Sequence, residues 1–177
     1  MDRRPIILVL GQAAGILGLF FFTLVILTSP VRLVPFLDNA NLLIHESGHT
    51  FFAPLGEFMG FLGGSLTQLL VPAAFALYFW YSGHKFSLAA CLFWTGENLI
   101  NISVYIRDAR SQLLPLINNG INDWNWILGK LQMLQFDQVI GGIVYDAGLA
   151  ICLGSLVWAI IIFYNRTKGL RLQKTST

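Results

Sequence analysis

Charge is scarce in this chain. Asp, Glu, Lys and Arg make up 11% of its 177 residues, against about 25% in an ordinary soluble domain. A soluble domain needs a charged surface, so this scarcity excludes that class and makes lipid the solvent for most of the chain. The net charge of +2 is too small for the basic footprint that nucleic-acid binding requires. Cysteine is nearly absent too. Cys91 and Cys152 both lie in apolar runs, with no spacing that suits a zinc ribbon or a redox pair, so each reads as a small buried hydrophobe. Only 3 His occur.

Apolar side chains are what the chain has in abundance: 55% of residues, with a mean hydropathy of +0.66. The length is that of one domain, and four runs approach or exceed the roughly 20 residues that a bilayer crossing needs. Ile6 to Thr28 is nearly continuous; it is too long for a signal peptide and lacks a cleavage site, so it reads as an anchor. Ser65 to Ser82 ends in Tyr78, Trp80 and Tyr81, as expected where a helix meets the interface. Phe86 to Ile106 is interrupted by Glu97, Asn98 and Asn101, and Val139 to Tyr164 carries Asp146. The expected fold is therefore an all-α integral membrane protein, one polytopic domain over residues 1–177 with about four transmembrane helices.

Arg3 and Arg4 flank the first run, and Arg166, Lys168, Arg171 and Lys174 follow the last. Under the positive-inside rule both termini are cytoplasmic, with residues 165–177 a basic tail, which requires an even number of crossings. The outer connection, from Arg107 to Gln138, has a turn at Asn118-Asn119-Gly120 and then Asp123-Trp124-Asn125-Trp126. It reads as a short interfacial helix pair with its Trp residues at headgroup depth.

Two of the three His stand in His45-Glu46-Ser47-Gly48-His49, between the first two runs. Residues four apart share one helix face, so both imidazoles can bind one metal, and the Glu beside them can take a proton from a water. Asp38 or Asn39 caps the start of this helix and Pro54 limits its continuation. The segment is too short for a confident crossing and is expected to be re-entrant. Gly56, Gly60 and Gly64 recur every four residues, a spacing that lets helix backbones approach closely, as Gly48 also would.

A catalytic zinc takes three protein ligands and keeps one position for water. His45 and His49 supply two. For the third, Glu97, Asn101, Tyr105 and Asp108 form one polar stripe on a helix, which should face the motif helix because polar groups at such depth need a partner. Asp108 is the first choice, at the outer end of its span; Asp123 in the outer loop is second, with Glu97 and Asp146 as further candidates. Asp137 reads as a helix N-cap, Glu57 as an interfacial residue, and His84 as a solvated loop residue beside Lys85. Gln68 or Asn41 could steady a His through its second ring nitrogen.

The motif, its apolar setting and the small size of the chain resemble the intramembrane zinc metalloproteases of the site-2 protease type. That resemblance implies a Zn2+ cofactor with His45 and His49 as ligands and Glu46 as catalytic acid/base. A distant membrane-helix Asp completes the metal site in that family, usually before a Gly. No Leu-Asp-Gly or Asn-Pro-Asp-Gly string occurs here. The implied activity is hydrolysis of a peptide bond in a transmembrane or juxtamembrane protein, at a bacterial plasma membrane, with homo-oligomerisation left open. The alternatives are a non-proteolytic metal-binding membrane protein, a subunit of a membrane complex, or a transporter using the polar stripe and Asp146.

Overall fold

The structure, a computed structural model, describes residues 4–28, 35–114 and 122–175. These form α1 (Arg4–Thr28), α2 (Pro35–Phe52), α3 (Glu57–Tyr81), α4 (Lys85–Arg107), α5 (Asp123–Lys130) and α6 (Asp137–Thr175). Short 3-10 turns occupy Ala53–Leu55 and Leu134–Phe136. Helix takes up 90% of the described residues, and none of them forms a strand. The expected turn at Asn118-Asn119-Gly120 lies outside the described residues.

Three helices are long and apolar enough to cross a membrane, over Ile6–Thr28, Glu57–Tyr81 and Leu134–Leu172. Of the apolar window in α1 only 11% is buried, and Leu10, Leu17 and Phe21 are all more than half exposed. Such a surface needs lipid against it. α4, the expected third crossing, is helical throughout and about 35 Å long by helical rise, but it is not apolar enough to count with the other three. Its polar residues are turned inward: Glu97, Asn98, Asn101 and Ser103 are all buried. α6 runs without a break through the expected tail, 39 residues in all. That is about 58 Å, roughly twice the hydrocarbon thickness, so its basic end (Arg166, Lys168, Arg171) projects well past any crossing as helix.

α4 is the centre of the bundle. Phe93 and Ile100 of α4 pack with Ile26 of α1 and with Tyr145 and Cys152 of α6; Leu37 of α2 lies against this cluster. A second cluster joins Ile102 and Ile106 of α4, Ala109 just beyond it and Leu128 of α5. α4 and α6 touch backbone to backbone: a Cβ on Gly96 would stand 2.7 Å from the Gly148 carbonyl, and one on Gly148 would stand 2.6 Å from the Gly96 carbonyl. α2 lies antiparallel against α3, and here Gly48 and Gly63 are the point of closest approach. The turn between them ends at Gly56, whose φ of 104° suits only glycine. The close approach expected of Gly48 is thus made to Gly63, one step from the Gly56–Gly60–Gly64 series.

Candidate metal centre

His45 and His49 project from one face of α2, with ring centroids 4.7 Å apart and planes at 77°. The face turns toward α3, and Gly64 makes room for it. A Cβ on Gly64 would come within 2.5 Å of His45 Nε2. Opposite stands Asp123, in the first turn of α5.

Local structure fixes α5 in place. Asn122 caps it, accepting from the amides of Trp124 (2.9 Å) and Asn125 (3.2 Å). The Asn125 side chain donates to the Ala109 carbonyl at 2.7 Å, just beyond α4. Trp124 Nε1 donates to Ser65 Oγ of α3 at 3.1 Å, and Trp126 stacks on Phe61 with centroids 4.3 Å apart. Both Trp residues were expected at headgroup depth. They dock α5 on α3, because a helix of eight residues needs large side chains to hold it.

The three ligand-type atoms converge. Asp123 Oδ2 lies 2.9 Å from His45 Nε2 and 3.2 Å from His49 Nε2. In a tetrahedral site, bonds of about 2.0–2.1 Å separate ligand atoms by about 3.3 Å, so the spacing suits one small cation. The other ring nitrogens are engaged as well: His49 Nδ1 meets the Gly60 carbonyl at 2.8 Å and His45 Nδ1 meets Gln68 Oε1 at 2.7 Å. A carbonyl oxygen can only accept, so each Nδ1 carries the proton and each Nε2 of a neutral ring offers a lone pair. With both rings neutral, two lone pairs and a carboxylate oxygen point at one spot, where a cation satisfies all three; without a cation, a proton on an Nε2 donated to Asp123 Oδ2 serves instead. The donor set fits a divalent metal, with zinc suited to two imidazoles and a carboxylate. Burial alone would push the Asp123 carboxyl up, but hydrogen bonds with His45 and His49 outweigh it and hold the group below the usual carboxylate range. The side chains keep 19%, 27% and 17% exposure for His45, His49 and Asp123, so the cluster is shielded yet reachable.

Asp108, the first choice from sequence, is not in this cluster. Its carboxylate is taken up by Ser111 Oγ (2.7 Å) and the amides of Leu113 (2.9 Å) and Leu114 (3.1 Å), where it ties down the chain leaving α4. Asp123, the second choice, takes the place instead. The physical reason is direction: Asp108 stands past the last turn of α4 and turns to the backbone that follows it, whereas α5 folds back over α3 to face α2. Glu97 is occupied by Asn41 Nδ2 at 2.7 Å. Asp146 is exposed on α6, and Glu57 is exposed at the start of α3. Asp137, expected as an N-cap, is instead the first helical residue of α6 (φ −49°, ψ −43°) and accepts from Gln138 N at 2.7 Å and from Arg110 at 2.7 Å. His84 is exposed at the α3–α4 turn, edge-on to Phe79.

No protein-family model, curated protein or solved structure matches this chain. The functional reading rests on the site's chemistry.

Of the stripe on α4, Glu97 and Asn101 face the motif helix through Asn41 and Asp38. Gln68, one of two residues named to steady a His, meets His45 Nδ1; Asn41 bridges Glu97 and Trp94 Nε1 instead. Glu46 lies exposed beside the pair, within electrostatic reach of His49 and Tyr105. The Gly60 carbonyl is the one partner that sequence reasoning missed. Its signal was the glycine series itself, read as packing alone.

Proposed function

We propose that this chain is a zinc-dependent endopeptidase acting on a transmembrane or juxtamembrane segment. The observation that carries the reading is the convergence of His45 Nε2, His49 Nε2 and Asp123 Oδ2, each His being oriented by an acceptor behind it. Three protein ligands leave a fourth position open, the arrangement of a catalytic site rather than a structural one. When bound there, zinc supplies Lewis-acid polarisation of a carbonyl and acidification of a water. Glu46, beside the ligands and exposed, takes the proton of the attacking water on its carboxylate and returns it to the leaving amine. A helical substrate hides its carbonyls in its own hydrogen bonds and must unwind locally, so substrates with Gly, Pro or Asn near the cut are favoured.

The membrane placement belongs to the same proposal. α1, α3, α4 and α6 cross, α2 is embedded among them without crossing alone, and both ends of the chain face the cytoplasm, as the basic residues at either end support. α4 crosses despite its polar residues because Glu97 and Asn101 are hydrogen-bonded to α2.

The test is Glu46→Gln in the purified full chain, with metal content and cleavage of a reconstituted transmembrane peptide measured together. The expected result is one zinc per chain, unchanged, with cleavage lost. Cleavage that persists ends the peptidase mechanism. Zinc bound by a wild-type chain that cleaves nothing would favour the non-proteolytic metal-binding reading.

A further inference from the structure

Gln68 meets His45 from the middle of α3, and what lies behind it decides which end of its amide His45 sees. A Gln side chain presents oxygen and nitrogen in nearly the same shape, so its neighbours set its orientation. Gln68 Nε2 lies 3.3 Å from Asn98 Oδ1 and 3.1 Å from Asn101 Oδ1, both on α4. These are also amides, and the same question passes to them.

It ends at two groups that do not flip. Asn98 Nδ2 donates to the Trp94 carbonyl at 3.0 Å, and a backbone carbonyl can only accept. Asn101 Nδ2 donates to Asp38 Oδ1 at 2.8 Å. Both Asn side chains must therefore present their oxygens to Gln68. Gln68 then spends its two N–H groups on α4 and turns Oε1 to His45. His45 in turn must carry its proton on Nδ1, leaving the Nε2 lone pair for the site. Gln68, Asn98 and Asn101 are all nearly fully buried, so water does not compete for these bonds. His49 needs no such relay, because the Gly60 carbonyl already fixes it.

We propose that Gln68 is a positioning residue for His45, and that Asn98 and Asn101 set its polarity from the Trp94 carbonyl and the Asp38 carboxylate. The inference deepens the metal reading and rests on it. The relay links α2, α3 and α4 in one direction only. An Asp38 or Trp94 acceptor at one end becomes a metal-facing lone pair at the other. It also explains why three amide side chains lie together in an apolar bundle, where each unpaired one would be costly.

The experiment is cobalt(II) titration of the full chain in detergent micelles after metal removal, following the visible absorption bands of tetrahedral cobalt, with far-UV circular dichroism as the check on folding. Wild type takes up one cobalt. Gln68→Met, which fills the same space without an acceptor, is expected to bind about 10–100-fold more weakly. Gln68→Glu, which keeps an oxygen facing Nδ1 and in its protonated form donates from the other to Asn98 or Asn101 Oδ1, should recover part of that loss. Replacing Asn98 and Asn101 together by Leu removes both acceptors that fix the Gln68 amide, frees it to turn, and should weaken cobalt in the same direction. It carries the test if Gln68→Met does not fold. Equal affinity in wild type, Gln68→Met and the variant lacking both Asn98 and Asn101 overturns the relay, as does failure of Gln68→Glu to improve on Gln68→Met. Wild type that takes up no cobalt overturns the metal reading itself, and the relay with it.

Discussion

Replacing Asp123 by Asn separates the two candidate third ligands most sharply. The amide keeps the shape of the side chain, so α5 stays docked through Trp124, Asn125 and Trp126. What is lost is the anionic oxygen to which both His point, at 2.9 and 3.2 Å. Structural zinc sites gain about 10–16 kcal/mol from four ligands, or about 2.5–4 kcal/mol for each when shared equally. At 1.4 kcal/mol per factor of ten, Asp123→Asn should weaken zinc about 100- to 1,000-fold.

Asp108→Asn is the control. Its carboxylate serves one hydroxyl and two backbone amides and no His. An amide oxygen can keep most of these bonds, so the expected loss is about 1 kcal/mol of stability in the segment after α4, with zinc affinity unchanged within about twofold. Competition against a chromogenic chelator reads the affinities, and thermal unfolding in micelles reads the stability. If Asp108→Asn costs more zinc affinity than Asp123→Asn, the arrangement of α5 over the His pair is refuted.

Two further outcomes test the packing that holds the site. Gly148→Ala places a methyl 2.6 Å from the Gly96 carbonyl and 2.9 Å from Ile100 Cγ1; it should destabilise the α4–α6 contact by about 1–3 kcal/mol, read by denaturant unfolding in micelles, and an unchanged midpoint would contradict the close backbone approach. Arg110→Ala leaves the fully buried Asp137 carboxylate without its partner at 2.7 Å; amide exchange at the start of α6 should rise, and adding Asp137→Asn should restore much of the protection because a neutral amide is cheaper to bury.

The helices were legible because long apolar runs leave little choice in lipid: a backbone without water must bond to itself. The His pair was legible because its spacing is local, as was the Gln68 contact, since Gln68 lies on the neighbouring α3. Asp123 was harder to choose over Asp108. The choice depends on how the chain after α4 folds back, and sequence periodicity says nothing about a connection of that kind. The docking role of the Trp residues was hidden for a related reason: an aromatic suits both a headgroup and a docking surface, and only the partner, here Ser65 or Phe61, reveals the second. α6 ran on past its apolar stretch because Arg, Lys and Leu are good helix formers and Gly169 alone does not stop a helix.

The polar character of α4 unites the fold and the site. A buried Glu or Asn costs several kcal/mol in an apolar setting unless it is paired, so α4 is poorly suited to a bilayer by itself. Its pairings are made almost wholly with the elements that build the site: Glu97 with Asn41 and Asn101 with Asp38 on α2, and Asn98 and Asn101 with Gln68 on α3. α4 therefore finds its polar partners only where α2 is packed on α3, and that same packing brings His45 and His49 to Gly64 and Gly60. Of these bonds, the two from Gln68 to Asn98 and Asn101 stand directly behind the Gln68 contact with His45. It follows that replacing Asn98 and Asn101 together by Leu should leave the buried Gln68 N–H groups without these acceptors and His45 free to present either nitrogen, so the denaturant midpoint in micelles and the metal affinity should fall together.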